Sequence, residues 1–216
     1  MHGRRCVAAL LLALAVSPAS AQTVDQVVDR VQTRFDATND FTAAVAQELV
    51  MASAGKTVKA AGSVAFKRPG KMRWTLASDQ TQIIVADGET LWFYQPDEQQ
   101  VLKAPFRAAF RSSTPISFLT GVGRLNEDFD AAFEAPPAGR FVLALRPRKA
   151  GAELGQLRLT VDATSYDIVA AEVVDPVGNV TRLAFSDLKR NVGVDEAQFH
   201  FEVPAGVDVI EAPIGN

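Results

Sequence analysis

From Phe41 onward the chain alternates with a period of two. Phe41, Ala43, Val45, Gln47, Leu49 and Met51 fall on one side, and small or polar Thr42, Ala44, Ala46 and Glu48 fall on the other. The pattern recurs at Val58, Ala60, Gly62, Val64 and Phe66, and again at Met72, Trp74 and Leu76 against Lys71, Arg73 and Thr75. Such alternation predicts consecutive half-buried strands in a meander. Ile83–Ala86 and Leu91–Tyr94 make a further pair, joined at Asp87-Gly88, residues suited to the positive backbone angles of a tight hairpin. Residues 91–94 are apolar on both faces, so one face must be covered by something other than water, without indicating which face looks inward. More strands are predicted at Phe129–Glu134, Arg140–Arg146, Leu157–Val161, Asp167–Asp175, Val180–Leu188 and Gln198–Val203, which brings the total to about eleven.

Two segments keep a helical period instead. Thr23-Val24-Asp25-Gln26 reads as a capping box, and Val24, Val27, Val28, Val31 and Phe35 then line one face at helical spacing. That apolar stripe needs a sheet to cover. Between the two groups of strands, Pro105 opens a short helical pattern with Phe106 and Phe110 one turn apart. A second opens at Thr114-Pro115 and carries Ile116, Phe118 and Leu119 before Gly121. Helices this short cannot bury themselves. Val27, Val31, Phe35, Phe106, Phe110, Ile116, Phe118 and Leu119 are therefore expected to form a lid over the sheet. The fold class is mainly β with short helices (α+β). No repeat, low-complexity tract or linker interrupts it, so residues 22–216 read as a single domain.

Residues 1–21 carry an export signal. His2-Gly3-Arg4-Arg5 is basic, Cys6 to Val16 is apolar, and Ser17-Pro18-Ala19-Ser20-Ala21 ends in an A-x-A cleavage pattern. Cys6 opens the apolar run, whereas a lipid-modified cysteine would follow it at the cleavage point. Cleavage after Ala21 removes Arg4, Arg5 and the single cysteine, leaving 20 basic against 25 acidic residues and no disulfide. An acidic balance of this kind gives no footing for a nucleic-acid partner. Stability must come from packing, and a chain of this length suits a sizeable core.

Catalytic chemistry is poorly supplied. After cleavage one histidine remains, His200, in the strand-like pattern Phe199-His200-Phe201. A nucleophile triad or a histidine metal site needs more. Neither a nucleophile elbow nor a phosphate-cradling glycine loop is present, and the acidic cluster Glu127, Asp128 and Asp130 reads as a solvated connection. An esterase is disfavoured on these grounds. What remains is apolar and aromatic material: Phe41, Phe66, Trp74, Trp92, Phe93, Phe106, Phe110 and Phe118. Pattern alone fits a packed sandwich core, or an assembly module that uses its sheet only for packing.

Specific motifs point elsewhere. Gln47, Gly62, Lys67-Arg68-Pro69, Trp74, Asp87-Gly88, Leu91-Trp92-Phe93-Tyr94-Gln95-Pro96 and Thr114-Pro115 stand where the periplasmic lipoprotein carrier (LolA) family places those residue types. The chain resembles that family from the Thr23 helix to Phe201-Glu202-Val203-Pro204-Ala205-Gly206-Val207. The resemblance implies an incomplete, strongly curved antiparallel β-barrel whose concave apolar face lies under a helical lid, with a cavity for the acyl chains of lipoproteins. Alternation on consecutive strands puts Val45, Leu49, Val64, Phe66, Met72, Trp74 and Leu76 on one face, expected to be the concave lipid-binding one, and the resemblance makes Arg68 the gate that bonds lid carbonyls in the empty protein. Where the family often has phenylalanine after the Arg-Pro turn, Met72 stands here, so an aromatic rim contact does not carry over. The implied partners are acylated lipoproteins as cargo, an inner-membrane ABC lipoprotein exporter and an outer-membrane lipoprotein acceptor. A periplasmic monomer without metal or cofactor is implied. The alternative in the same fold is a periplasmic sensor or carrier of another acylated ligand, with other partners.

Overall fold

The computed structural model describes residues 22–106, 124–134, 138–148 and 156–212. The export signal at 1–21 and lid candidates Phe110, Ile116, Phe118 and Leu119 lie outside the described residues.

Helix α1 (Val24–Asp36) opens the described chain, and both halves of its capping box form. Thr23 Oγ1 accepts from the Gln26 amide at 3.3 Å, while the Gln26 side chain accepts from the Thr23 amide at 3.0 Å. The chain then runs through a first meander: β1 (Asp40–Met51), β2 (Lys56–Lys67), β3 (Lys71–Ala77), β4 (Thr81–Asp87), β5 (Thr90–Gln95) and β6 (Gln100–Pro105). After a one-turn helix, α2 (Leu125–Asp128), a second meander returns: β7 (Phe129–Glu134), β8 (Arg140–Pro147), β9 (Gln156–Asp162), β10 (Ile168–Val174) and β11 (Val180–Arg190). A last short strand, β12 (Asp208–Glu211), ends it. These make one 12-stranded sheet in the order β12-β6-β5-β4-β3-β2-β1-β11-β10-β9-β8-β7. The two meanders meet where β1 pairs with β11, so β1 is the seam.

Register decides which residues share a face, because directly opposed side chains in an antiparallel pair point the same way. Phe41 opposes Phe66, Ala43 opposes Val64 and Val45 opposes Gly62. Phe66, Val64 and Gly62 in turn oppose Met72, Trp74 and Leu76. The inner face of β8 and β9 is set the same way, with Leu143 against Leu159 and Leu145 against Leu157. All these apolar residues join one buried cluster with Val27, Val28 and Val31 of α1. Since β3 and β8 lie six places apart in the strand order, the sheet must roll to bring them together. Gly62 shows one place where it bends: a Cβ there would collide with the backbone carbonyl of Thr75, so only glycine lets β3 approach this closely.

The outer face has two different coverings. Over β2–β5 lies the C-terminal segment that follows β11. Val194 and Phe199 are buried with Ala65, and the Phe201 ring sits 5.9 Å from Trp92 and 5.7 Å from Tyr94. Residues 91–94 are thus covered on both faces: Leu91 packs against the inner cluster, while Trp92 and Tyr94 meet Phe201 outside. Over β1 and β9–β11 the outer face is ionic instead, as described below.

The strand expectation needs three corrections. The predicted strand Gln198–Val203 is not one: Glu196–Phe199 forms a 3₁₀ turn, and His200 is an exposed residue paired with Glu202 at 3.2 Å. Its Phe-His-Phe alternation is real burial without pairing, because the segment crosses the sheet's outer surface, where no free edge offers hydrogen bonds. Two further strands, β6 and β12, make twelve rather than about eleven. Both are short, and β6 ends at Pro105, so neither shows a clear alternating run. Nor is the sheet wholly antiparallel, since β12 pairs parallel with β6. No helix among the described residues is long and apolar enough to cross a membrane.

Candidate functional site

The expected lipid-facing residues occupy the inner face. Val45, Val64, Phe66, Met72, Trp74 and Leu76 are all buried. Leu49 continues the same face toward the far end of β1, where it is half-buried. Ala43 joins them as its alternation indicates, and register adds neighbours that residue-by-residue reading did not single out for this face: Ile84 opposite Trp74, and Phe185 opposite Val45. Only the strand register could have found them, because Phe185 reaches the face through the β1–β11 seam. From β1 to β4 the rows through Phe41, Ala43 and Val45 carry no ionisable side chain on this face. Such a surface can solvate alkyl chains and little else.

The opposite side of the sheet, over β1 and β9–β11 with the ends of β2 and β7 beside them, carries a ladder of charge. Lys59 and Arg182 both pair with Glu48, Arg182 also reaches Glu172, and Arg158 bridges Glu172 to Glu134 at 2.8 Å. Hydrogen bonds from Arg182 and Lys59 hold the Glu48 carboxyl below the usual range. At Glu172 burial pushes the pKa up, but Arg182 and Arg158 together outweigh it and the net direction is down. The two faces therefore differ sharply in what each can accept.

Helix α1 closes one part of the inner face. Its apolar stripe of Val27, Val28 and Val31 is buried, and buried Gln32 accepts from the Leu125 amide at 2.9 Å, tying α2 to it. Arg68 secures the C-terminal end. Its Nε donates to the Thr38 carbonyl at 2.9 Å and its Nη2 to the Phe35 carbonyl at 3.0 Å. The guanidinium also lies over the Phe35 ring, 4.7 Å from its centroid. A planar fork with several donors suits two carbonyls at a helix end, where backbone acceptors are left over. Phe106, at the end of β6, is buried beside the Arg68-Pro69-Gly70 turn; its ring fills the space where a Gly70 Cβ would point.

A second set of contacts holds the side of α1, and sequence reading missed it. Arg30 donates to the Tyr166 hydroxyl at 3.0 Å, Arg34 pairs with Asp167 at 3.2 Å, and Arg190 pairs with the same Asp167. Between α1 and these groups lies an apolar cleft of ≈ 50 Å³ lined by Val31, Phe35, Phe41, Ile168, Phe185 and Leu188 among others. Ligand pockets generally span about 300–1,000 Å³, so this cleft admits no acyl chain while α1 stays in place. Glu127, Asp128 and Asp130 are engaged separately: Glu127 with Arg124 at 2.8 Å, Asp128 with the Arg124 amide at 2.8 Å, and Asp130 with Arg148 at 3.2 Å. Among the described residues no group of three or more His, Cys, Asp or Glu is placed to hold a metal ion.

An apolar face under a latched helix suits a carrier, and comparison with known proteins bears on which kind. The family pattern of the outer membrane lipoprotein carrier protein LolA matches residues 36–202. The chain belongs to this family. It is 34% identical over 209 residues to the outer-membrane lipoprotein carrier protein of Bordetella avium (strain 197N), covering 94% of this chain and 92% of that protein. With the protein of the same name from Azotobacter vinelandii (strain DJ) it shares 33% over 208 residues, 93% of this chain and 94% of that one. Among solved structures, an uncharacterized conserved protein from Thermus thermophilus aligns with a TM-score of 0.53 at 16% identity, over 88% of this chain and 100% of that chain. That likeness speaks to the fold alone. In this LolA-family chain Lys67-Arg68-Pro69 lies at the β2–β3 turn and Trp74 at the centre of the inner face.

Proposed function

We propose that the protein is a periplasmic carrier that accepts the acyl chains of lipoproteins released from the inner membrane and delivers them to the outer membrane. The observation that carries this reading is the uncharged inner face of β1–β4 closed by a helix whose end is bonded by Arg68. In this reading residues 1–21 direct export and are removed, and the remainder acts as one carrier domain. Val45, Leu49, Val64, Phe66, Met72, Trp74 and Leu76 solvate the chains, while α1, Phe106 and the segment after it serve as the lid.

Energetics define the partners. Each buried methylene contributes about 0.8 kcal/mol, so three long chains hold a lipoprotein in a bilayer by some tens of kcal/mol. Non-covalent affinity saturates near roughly −18 to −21 kcal/mol, so passive extraction by the carrier falls short. An energy-driven inner-membrane exporter must therefore load it; the family resemblance implies one of the ATP-binding-cassette class, and an acceptor at the outer membrane that receives the cargo. The carrier itself performs no bond chemistry. Arg68 sets the direction: its bonds to α1 favour the empty, closed state, so they compete with cargo and ease its release.

The test is mass spectrometry of the protein purified from periplasm, followed by a transfer assay to acceptor-bearing outer membrane. Co-purifying triacylated lipoprotein that moves to those membranes is the expected result. Protein that carries no acylated species, and takes none from exporter-bearing inner membranes, would refute the reading.

A further inference from the structure

One polar atom on the inner face has no partner. The indole Nε1 of Trp74 is fully buried without a hydrogen-bond acceptor, the one such side-chain atom among the described residues. Trp74 is 4% exposed and sits opposite Val64 and Ile84 at the middle of the uncharged face. The residues directly opposite it offer no acceptor, and Gln82, which faces Leu76 in the next row of the same face, makes no hydrogen bond to it. The nearest aromatic neighbour, Phe185, meets it edge to face with centroids 6.1 Å apart, and an aromatic ring is at best a weak acceptor. Gly62, diagonally across from Trp74, contributes no side chain, so the indole extends over β2 toward the β1–β11 seam.

Leaving a buried donor unpaired opposes folding, whereas phenylalanine would fill much of the same volume without the penalty. An indole is therefore costly here unless a ligand supplies the missing acceptor. Alkyl chains cannot, but the carbonyl that joins each acyl chain to its lipid can.

We propose that the Trp74 Nε1–H donates a hydrogen bond to an acyl carbonyl of bound cargo, an ester or an amide. This rests on the carrier reading and deepens it. The donor fixes the depth of insertion: one carbonyl stops at β3 while its methylenes run on across the apolar face. Trp74 is then the polar marker that orients chains which would otherwise slide freely on a uniformly apolar surface.

Two synthetic triacylated lipopeptides test this, one ¹³C-labelled at its ester carbonyls and one at its amide carbonyl. On the intact mature protein, infrared spectra should show a lowered carbonyl stretch for one label, which identifies the group. In Trp74→Phe that band should return to the value of an unbonded carbonyl, with affinity down about three- to tenfold. Bound lipopeptide with neither stretch lowered on the wild-type protein would overturn the inference while leaving the carrier reading intact. So would a lowered band that persists in Trp74→Phe. Failure of both lipopeptides to bind the wild-type protein would overturn the carrier reading and this inference together. Should the phenylalanine variant misfold, the Trp74 indole proton resonance of the wild-type protein decides in its place: a downfield shift on lipopeptide binding supports the bond, and an unmoved resonance overturns it.

Discussion

The sheet has two covers, one on each face, and they are attached by different means. Inside, α1 lies on aliphatic side chains and is secured at its margins: by Arg68 at the C-terminal end, and by the Tyr166 and Asp167 contacts along one side. No backbone ladder joins it to the sheet. Outside, the C-terminal segment is tied in by main-chain pairing of β12 with β6, by buried Phe199 and by Lys67 donating to the Val194 carbonyl at 2.8 Å. A cover held by apolar contact and a few end bonds can lift as a unit when a ligand competes for the same face. One stitched into the sheet edge cannot lift without unfolding. The inner cover is thus built to exchange with cargo and the outer one to stay.

The strongest way to break this comparison is to make the inner face unfit for its ligand. We predict that Trp74→Glu and Leu49→Glu each abolish lipoprotein uptake, because acyl chains would expel water from an unpaired carboxylate at a cost of several kcal/mol. Leu49 is half-buried in the empty protein, so its variant should fold well and isolate the effect on loading. Normal extraction from membranes by the folded Leu49→Glu variant would show that cargo binds elsewhere. On the outer face the same boldness should cost stability instead. Phe199→Ala removes a buried ring and should lower unfolding free energy by about 3–5 kcal/mol, read by denaturant titration, while the folded fraction still loads normally.

How far the sequence disclosed this difference depends on the kind of signal each cover leaves. Period-two alternation located β1–β3, turn residues between apolar runs located the other strands of both meanders except β6, and the capping box located α1, because local backbone preference and burial agree there. Leu91, Trp92, Phe93 and Tyr94 announced two covered faces, though not which residue faces which. The outer cover stayed hidden. Phe199 and Phe201 alternate as a strand does, and only the absence of an open edge beside them prevents pairing, a fact of tertiary arrangement. Of the site, the seven inner positions follow from alternation plus consecutive hairpins. Phe185, Tyr166 and Asp167 come from the second meander, and no local pattern links them to α1. Arg68 was legible through its motif rather than through physics, since an arginine before proline at a strand end is ordinarily just solvated.

The latch offers a finer test. Arg68 makes two charge-assisted bonds to main-chain carbonyls, worth ~1.5–3 kcal/mol each. Arg68→Leu should therefore weaken the closed state, leave loading intact and raise cargo affinity at least tenfold, so that loaded protein fails to pass lipoprotein to the acceptor. Arg68→Lys should fall between, keeping the charge but losing the fork. Loading and transfer are measured separately. Normal transfer by the leucine variant, or parallel loss of both steps, would reduce Arg68 to a structural charge.

The smallest effect concerns the ionic part of the outer cover. Glu196 receives Lys71 and Lys67, and those hydrogen bonds hold its carboxyl below the usual range. A carboxylate with a depressed folded-state pKa contributes its stabilisation above the unfolded value, about 4.3, and loses it as pH falls through the lower folded value. Below that window the 3₁₀ turn Glu196–Phe199 should loosen from β2 and β3, while the centre of α1 at Val27–Val31, held by apolar contact rather than by the Asp167 pairs at its side, should not. Glu48 and Glu172 are also depressed and weaken in the same range, so a global readout cannot separate them. A local one can. Amide exchange at 194–201, corrected for its intrinsic pH dependence, should quicken as pH falls below the ordinary glutamate value of about 4.3 in the wild-type protein. In Glu196→Gln it should be faster at neutral pH and nearly flat over the same fall in pH. Equal acid sensitivity at 194–201 and at Val27–Val31 would mean that the two covers are not independently held.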